Sequence, residues 1–166
     1  IFTDSQAQDY RDKFGMSITG VRPTTVSGPD KIYGSVDHVQ CVVRPARGKV
    51  AKFPYADYHR LPIHVDDITE IFQRVLMADA PKHDLYNSGG TTISMGDLAE
   101  MVRDYLSNAN IQFENESGGK DDSGVYLMDN SRLVDDFGVQ LRPWLDRVLQ
   151  IINTGRAEEG KELIDG

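Results

Sequence analysis

Arg22-Pro-Thr-Thr-Val-Ser-Gly-Pro29, followed further along by Arg60-Leu-Pro-Ile-His-Val-Asp-Asp67, decides how the rest of the chain reads. Ser17 to Arg22 reads as a buried strand that stops at Pro23, because proline lacks an N–H and restricts the residue before it. Beyond it the chain empties into a Gly28-Pro29 loop. The carboxyl end of a strand is where an open α/β sheet presents its ligand crevice, so the stretch locates a site before naming its ligand.

Working outward, residues 1 to 14 read as a helix with Tyr10 and Phe14 four apart, and Gly15 is placed to end it. Ile1 has no capping residue before it, so this helix is expected to continue upstream. Ser35 is placed to cap a helix running to about Gly48, with Pro45 shortening or kinking its last turn. A short strand is expected near Val50 to Phe53. Asp67-Ile-Thr-Glu70 has the form of a capping box heading a helix whose Ile68, Ile71, Phe72, Val75 and Leu76 make one apolar stripe. Asp84 to Asn87 reads as a strand and Ser88-Gly-Gly90 as the loop leaving it. Ser94 caps a further helix bearing Leu98, Met101, Val102, Tyr105 and Leu106. Ile111 to Phe113 and Val125 to Met128 read as strands around a Gly/Asp/Ser-rich loop, Glu116 to Gly124. Ser131 is expected to cap a short helix ending at Gly138. The last helix runs from Trp144 to about Gly155, with Leu145, Val148, Leu149 and Ile152 inward and a charged tail that frays. Strands alternating with helices at this pitch, without repeats, indicate an α/β fold.

Composition narrows the function. The 166 residues are 39% hydrophobic, enough for one domain or one domain with part of another. Eighteen basic against 26 acidic side chains give a net charge of −8, which argues against tracking a phosphate backbone, so nucleic acid is not an expected partner. The apolar runs fall short of the roughly 18 residues that cross a bilayer, and no basic-then-apolar leader opens the chain, so neither membrane nor export is expected. The single Cys41 excludes an internal disulfide and suits a cytoplasmic setting; among apolar neighbours, it reads as a packing residue.

Five stretches together resemble the carboxy-terminal half of the extended short-chain dehydrogenase/reductases, the NAD(P)-dependent epimerases and dehydratases. They are Tyr10 to Gly15, Arg22-Pro to Gly28-Pro29, Arg60 to Asp67, Tyr86-Asn-Ser-Gly-Gly90, and Asp129-Asn-Ser-Arg132 to Phe137-Gly138. The resemblance implies an α/β fold: the last part of a Rossmann-like parallel sheet plus a small α/β substrate-binding lobe. Residues 1–34 would end the dinucleotide-binding domain, and 35–166 would form the substrate-binding region, interleaved with Rossmann elements around 62–90. In that register the catalytic Tyr-x-x-x-Lys and the Gly-rich dinucleotide loop would precede Ile1, so no catalytic residue is assigned and the chain alone is expected to be inactive. Tyr10 and Lys13 are three apart, not four, and read as a solvated pair.

The same resemblance places Pro23 and Thr24 against an NAD or NADP cofactor and Thr25 facing the substrate. It aligns Arg60 with an arginine that grips a substrate diphosphate, a task that suits a planar guanidinium; the alternative is a surface pair with a carboxylate such as Asp57. Ala51, Lys52 and Phe53 would contribute backbone contacts to a base or ring, although Pro54-Tyr-Ala-Asp57 replaces the usual glycines. Sugar-nucleotide enzymes often carry Asn where Thr25 stands. The expected partner is therefore a small-molecule substrate, a nucleotide sugar or a similar carbinol or keto compound, with homo-oligomerisation. A dehydrogenase of a small non-nucleotide hydroxy or keto compound and a non-catalytic binding module remain alternatives.

Other motifs read structurally. His64 is expected to support a helix cap, and Asn87 to tie loop backbone. Asp66 and Asp67 complement a helix's positive end rather than forming an acid pair. His59 and His64 do not converge at metal-ligand spacing. Gly155 to Lys161 mimics a phosphate loop, but Glu162 stands where a Ser or Thr should be, and a helix precedes it.

Overall fold

The computed structural model describes residues 2–118 and 127–165. The chain opens with helix α1 (Phe2–Phe14), then strands β1 (Gly20–Arg22) and β2 (Thr25–Ser27) and helix α2 (Asp37–Ala46). Strands β3 (Ala51–Tyr55), β4 (His59–Arg60) and β5 (Pro62–His64) lead into α3 (Val65–Leu76). Strand β6 (Leu85–Asn87), β7 (Ile93–Ser94), α4 (Met95–Tyr105) and β8 (Ile111–Asn115) follow, and α5 (Ser131–Phe137) and α6 (Trp144–Glu158) close the fold.

Among the described residues three strand pairs are parallel, β1 with β6, β2 with β5 and β3 with β8, and only the short β4–β7 pair is antiparallel. Parallel neighbours demand long crossovers, which the intervening helices supply. Two apolar clusters result. In one, Val39 and Val42 of α2, Val102 of α4 and Ile152 of α6 pack over Ala51 and Ile111 of the β3–β8 pair. In the other, Ile63 of β5, Ile71 of α3, Tyr86 of β6 and Leu133 of α5 pack together with Val21 and Val26. The first cluster lies wholly within 35–166, and the second joins residues on both sides of position 35, from Val21 to Leu141. The architecture is α/β with parallel strands.

Several local signals act as expected. Gly15 and Gly138 end their helices in the left-handed conformation, at φ 62° and 61°. Ser94 caps α4 by accepting from the Asp97 N–H at 3.0 Å, a bond whose loss typically costs about 1 kcal/mol. Cys41 is fully buried on α2, and burial pushes its thiol up to about 12, leaving it a packing group.

Others are corrected. Residues 17–19 are not strand, and the chain resumes extended geometry after Pro23 to form β2, so the stretch makes two short strands rather than one strand and a loop. Ser35 does not cap α2; Val36 occupies that position and the Ser35 hydroxyl donates to Asp37 at 2.9 Å instead. Asp67 does not cap α3, because His64 does, its Nδ1 accepting from the Asp66 N–H at 3.2 Å. Ser131 is the first residue of α5, whose flanking Asn130 makes no side-chain cap bond. Phe72 and Leu76 turn outward from the α3 stripe and are exposed. The tail does not fray: Asn153 exchanges two hydrogen bonds with Ile164, at 2.9 and 2.8 Å, and Ile164 packs on the larger cluster. The strand and loop expected over 116–128 fall largely on 119–126, outside the described residues.

Candidate functional site

The link between β1 and β2, Pro23-Thr24, sits at the carboxyl end of a parallel strand and is fastened to the loop after β6. The Arg22 carbonyl accepts from the Ser88 N–H at 2.9 Å, the Thr24 N–H donates to Ser88 Oγ at 3.1 Å, and the Thr24 hydroxyl donates to the Gly89 carbonyl at 3.0 Å. The approach is close enough to demand glycine. A Cβ on Gly90 would come within 2.8 Å of Thr24 Oγ1 and 2.9 Å of the Pro62 carbonyl. The Ser-Gly-Gly sequence is thus the mate of the Pro-Thr-Thr sequence, a pairing invisible to either stretch alone.

Beside this link lies a cavity of about 320 Å³ lined by Pro23, Thr24, Thr25, Ser35, Arg60, Leu61 and Met128. Four residues singled out in the sequence, Pro23, Thr24, Thr25 and Arg60, meet there. Ala51, Lys52 and Phe53 do not: they form β3 in register with β8, Ala51 and Phe53 pointing into the larger core and Lys52 into solvent. A larger depression of about 640 Å³ runs along α3, but its walls are Asp66 to Arg74 of that one helix and Met77 at its end. A single wall cannot enclose a ligand, so the smaller cavity is the better site.

Arg60 is held firmly at the cavity wall. Its Nε donates to Asp37 Oδ1 at 3.2 Å, its Nη2 to Asp37 Oδ2, and its Nη1 to the His59 carbonyl at 3.0 Å, while the guanidinium lies 3.8 Å over the Tyr58 ring. The partner is Asp37, twenty-three residues away, and not Asp57, which accepts from the Gly118 N–H at 2.8 Å. Burial pushes the Asp37 carboxyl upward, but the hydrogen bonds and charge of Arg60 and the Ser35 hydroxyl outweigh it and hold the group well below the usual carboxylate range. Behind Asp37, His38 is buried with Nε2 against the Ser27 hydroxyl, and its Nδ1 stands 3.6 Å from Asp37 Oδ1, beyond hydrogen-bond reach. Burial chiefly lowers the affinity of His38 for a proton, so its ring is neutral near pH 7. Ser27, His38 and Asp37 carry the residue types of a nucleophilic triad, yet Ser27 is sealed from solvent, so the group supports Arg60 rather than attacking a substrate.

Sequence reasoning missed Asp37, Ser35, Leu61 and Met128. Only Ser35 and Asp37 carried a signal, their place at a helix start, and that signal points to capping. Among the described residues no cluster of three or more His, Cys, Asp or Glu side chains is arranged for a metal, and no helix is long and apolar enough to cross a membrane.

Comparison with known proteins finds the fold but no sequence relative: no family model and no curated protein matches the chain. Among solved structures, L-threonine 3-dehydrogenase from Trypanosoma brucei superposes with a TM-score of 0.78 at 16% identity, over 95% of this chain and 52% of that one. UDP-glucose 4-epimerase from Thermotoga maritima, solved with UDP-glucose, gives 0.75 at 16% identity over 95% and 52%. UDP-glucuronic acid 4-epimerase from Bacillus cereus, in complex with UDP-glucuronic acid and NAD, gives 0.73 at 16% identity over 93% and 50%. At such identities the likeness is one of fold. The chain spans about half the length of these three structures.

Proposed function

We propose that this chain is the carboxy-terminal, substrate-binding part of an NAD(P)-dependent oxidoreductase of the epimerase, dehydratase or dehydrogenase type. Residues 1–34 would end the dinucleotide-binding domain, and 35–166 would carry the substrate region, interleaved near 62–90 with strands of the first. The observation that supports this best is the cavity at the carboxyl end of β1, a strand paired in parallel with β6, where Pro23, Thr24 and Thr25 meet Arg60 of β4.

A bound nicotinamide would supply hydride exchange with a substrate carbinol carbon. This chain would shape the pocket. Thr24 has its N–H and hydroxyl committed to Ser88 and Gly89, so Pro23 and Thr24 fit a cofactor ring through carbon surface rather than polar contacts. Thr25 adds a hydroxyl on the substrate side. No residue here is assigned the proton transfer, and the isolated chain is expected to turn nothing over.

Two substrate classes fit. A sugar nucleotide is supported by the place of Arg60, and a small hydroxy or keto compound by the commitment of that arginine to Asp37. Thermal denaturation of the full-length protein with NAD, NADP and each substrate class tests the proposal. A genuine ligand at 100-fold excess over its Kd should stabilise by about 2.7 kcal/mol. A folded full-length protein that neither shifts with a nicotinamide nor oxidises any carbinol would count against it.

A further inference from the structure

Among the described residues lining the cavity the only cation is Arg60, and its charge is already met from within the chain. Asp37 accepts from Nε at 3.2 Å and from Nη2, so the two-pronged edge that could grip two phosphate oxygens is filled by a carboxylate. A ligand could not easily displace it. Asp37 is itself gripped by the Ser35 hydroxyl at 2.9 Å and by the His38 backbone N–H at 3.1 Å, in the first turn of α2, where the helix's positive end favours an anion. Lys31, another cation that interacts with Asp37, donates to the Val26 carbonyl at 2.6 Å. The Tyr58 ring lies against one face of the Arg60 guanidinium, and the His59 carbonyl accepts from its Nη1. Among the described lining residues, what is left for a ligand is the hydroxyl of Thr25 and the apolar surface of Pro23, Leu61 and Met128.

We infer that Asp37 is a specificity-determining residue, an internal stand-in for phosphate that closes Arg60 and restricts the cavity to ligands recognised through hydroxyl or carbonyl groups, excluding nucleoside diphosphates. The inference rests on the cavity being the substrate site proposed above, and narrows its substrate class to small hydroxy or keto compounds.

UDP titrated calorimetrically into the full-length protein, its Asp37→Asn variant and the Asp37→Asn/Arg60→Gln double variant reads this out. Freeing Arg60 by Asp37→Asn should tighten UDP binding about tenfold or more, and the double variant should fall back to the wild-type affinity. An Asp37→Asn variant that gains no affinity would overturn the inference. Should that variant fail to melt cooperatively, wild type against the double variant decides, because both charges of the pair are then gone: equal affinities uphold a closed arginine, and a wild type binding about tenfold tighter refutes it. Titration of NAD and NADP in parallel judges the underlying function separately, since loss of nicotinamide binding would contradict that reading while the UDP comparison still judges Asp37.

Discussion

Arg147 shows what a single side chain does for the described fold. It is buried on α6 with Nε 3.2 Å from Asp67 Oδ2 and Nη2 against Asp67 Oδ1, while Nη1 reaches Asp66 Oδ2 at 3.1 Å. The pair clamps α6 to the start of α3. Arg147→Ala would strand a buried carboxylate, and chemical denaturation should find the chain less stable by roughly 3–5 kcal/mol. Asp66→Asn, at a half-exposed position, should cost about 1 kcal/mol or less. Equal losses would contradict the clamp. The buried histidines set the pH response. Burial first, and for His64 the nearby Arg147 charge second, lowers the proton affinity of both His38 and His64. The unfolded chain therefore takes up more protons once pH drops below about 6.5, the ordinary histidine value, so stability present at pH 7 is lost as pH falls further toward the folded-state values. Denaturation midpoints at pH 7 and pH 5 should differ in that sense, and His64→Gln should flatten the difference. A midpoint that rises on acidification would contradict the assignment of neutral, buried rings.

Between elements, the decisive joint is the one that ties the loop after β6 to the link between β1 and β2. Gly90→Ala would drive a methyl into backbone at the Pro62 carbonyl, which cannot yield as a flexible side chain can. A loss of about 1–3 kcal/mol is expected, together with weakened binding of any cavity ligand; an unperturbed variant would mean that the joint is looser than it looks. Elements with a local cause were legible in the sequence: Ser94 as a cap, Gly15 and Gly138 as helix ends, the proline break at Pro23 and the apolar face of α4. On α6 Val148 and Ile152 are buried as expected, but Leu145 and Leu149 are only half-buried and Ile151 takes their place in the core. What escaped reading had a distant cause. β2 exists because it pairs with β5, and nothing within Thr25-Val-Ser27 announces that partner. The Asp37–Arg60 and Asp67–Arg147 pairs join residues 23 and 80 apart; nothing near Asp37 announces its arginine, and Asp67 reads as a helix-start group instead. Pro23 to Thr25 stand out at a strand end broken by proline and through the family resemblance, and Arg60 through the resemblance alone; the four line one cavity. Their convergence needed the fold.

At the scale of the whole molecule, two apolar clusters share one α/β frame and leave an apolar face open, where Phe72 and Leu76 of α3 stand exposed beside Ile18, Val21 and Pro81 around a groove of about 380 Å³. Exposed apolar surface of this kind promotes association. The isolated 166-residue chain should elute as dimers or larger species in light-scattering chromatography, and Phe72→Glu/Leu76→Lys should return it to a monomer; a monodisperse wild-type monomer would contradict this. The claim on which the functional proposal turns is that a nicotinamide cofactor and a small substrate meet at the link between β1 and β2. Hydrogen–deuterium exchange of the full-length protein, with and without saturating cofactor and a hydroxy or keto substrate, tests it most directly. Slowed exchange in peptides covering residues 22–29 and 58–62 is the expected result, and ligand-induced protection confined to other segments while these two stay unchanged would contradict it.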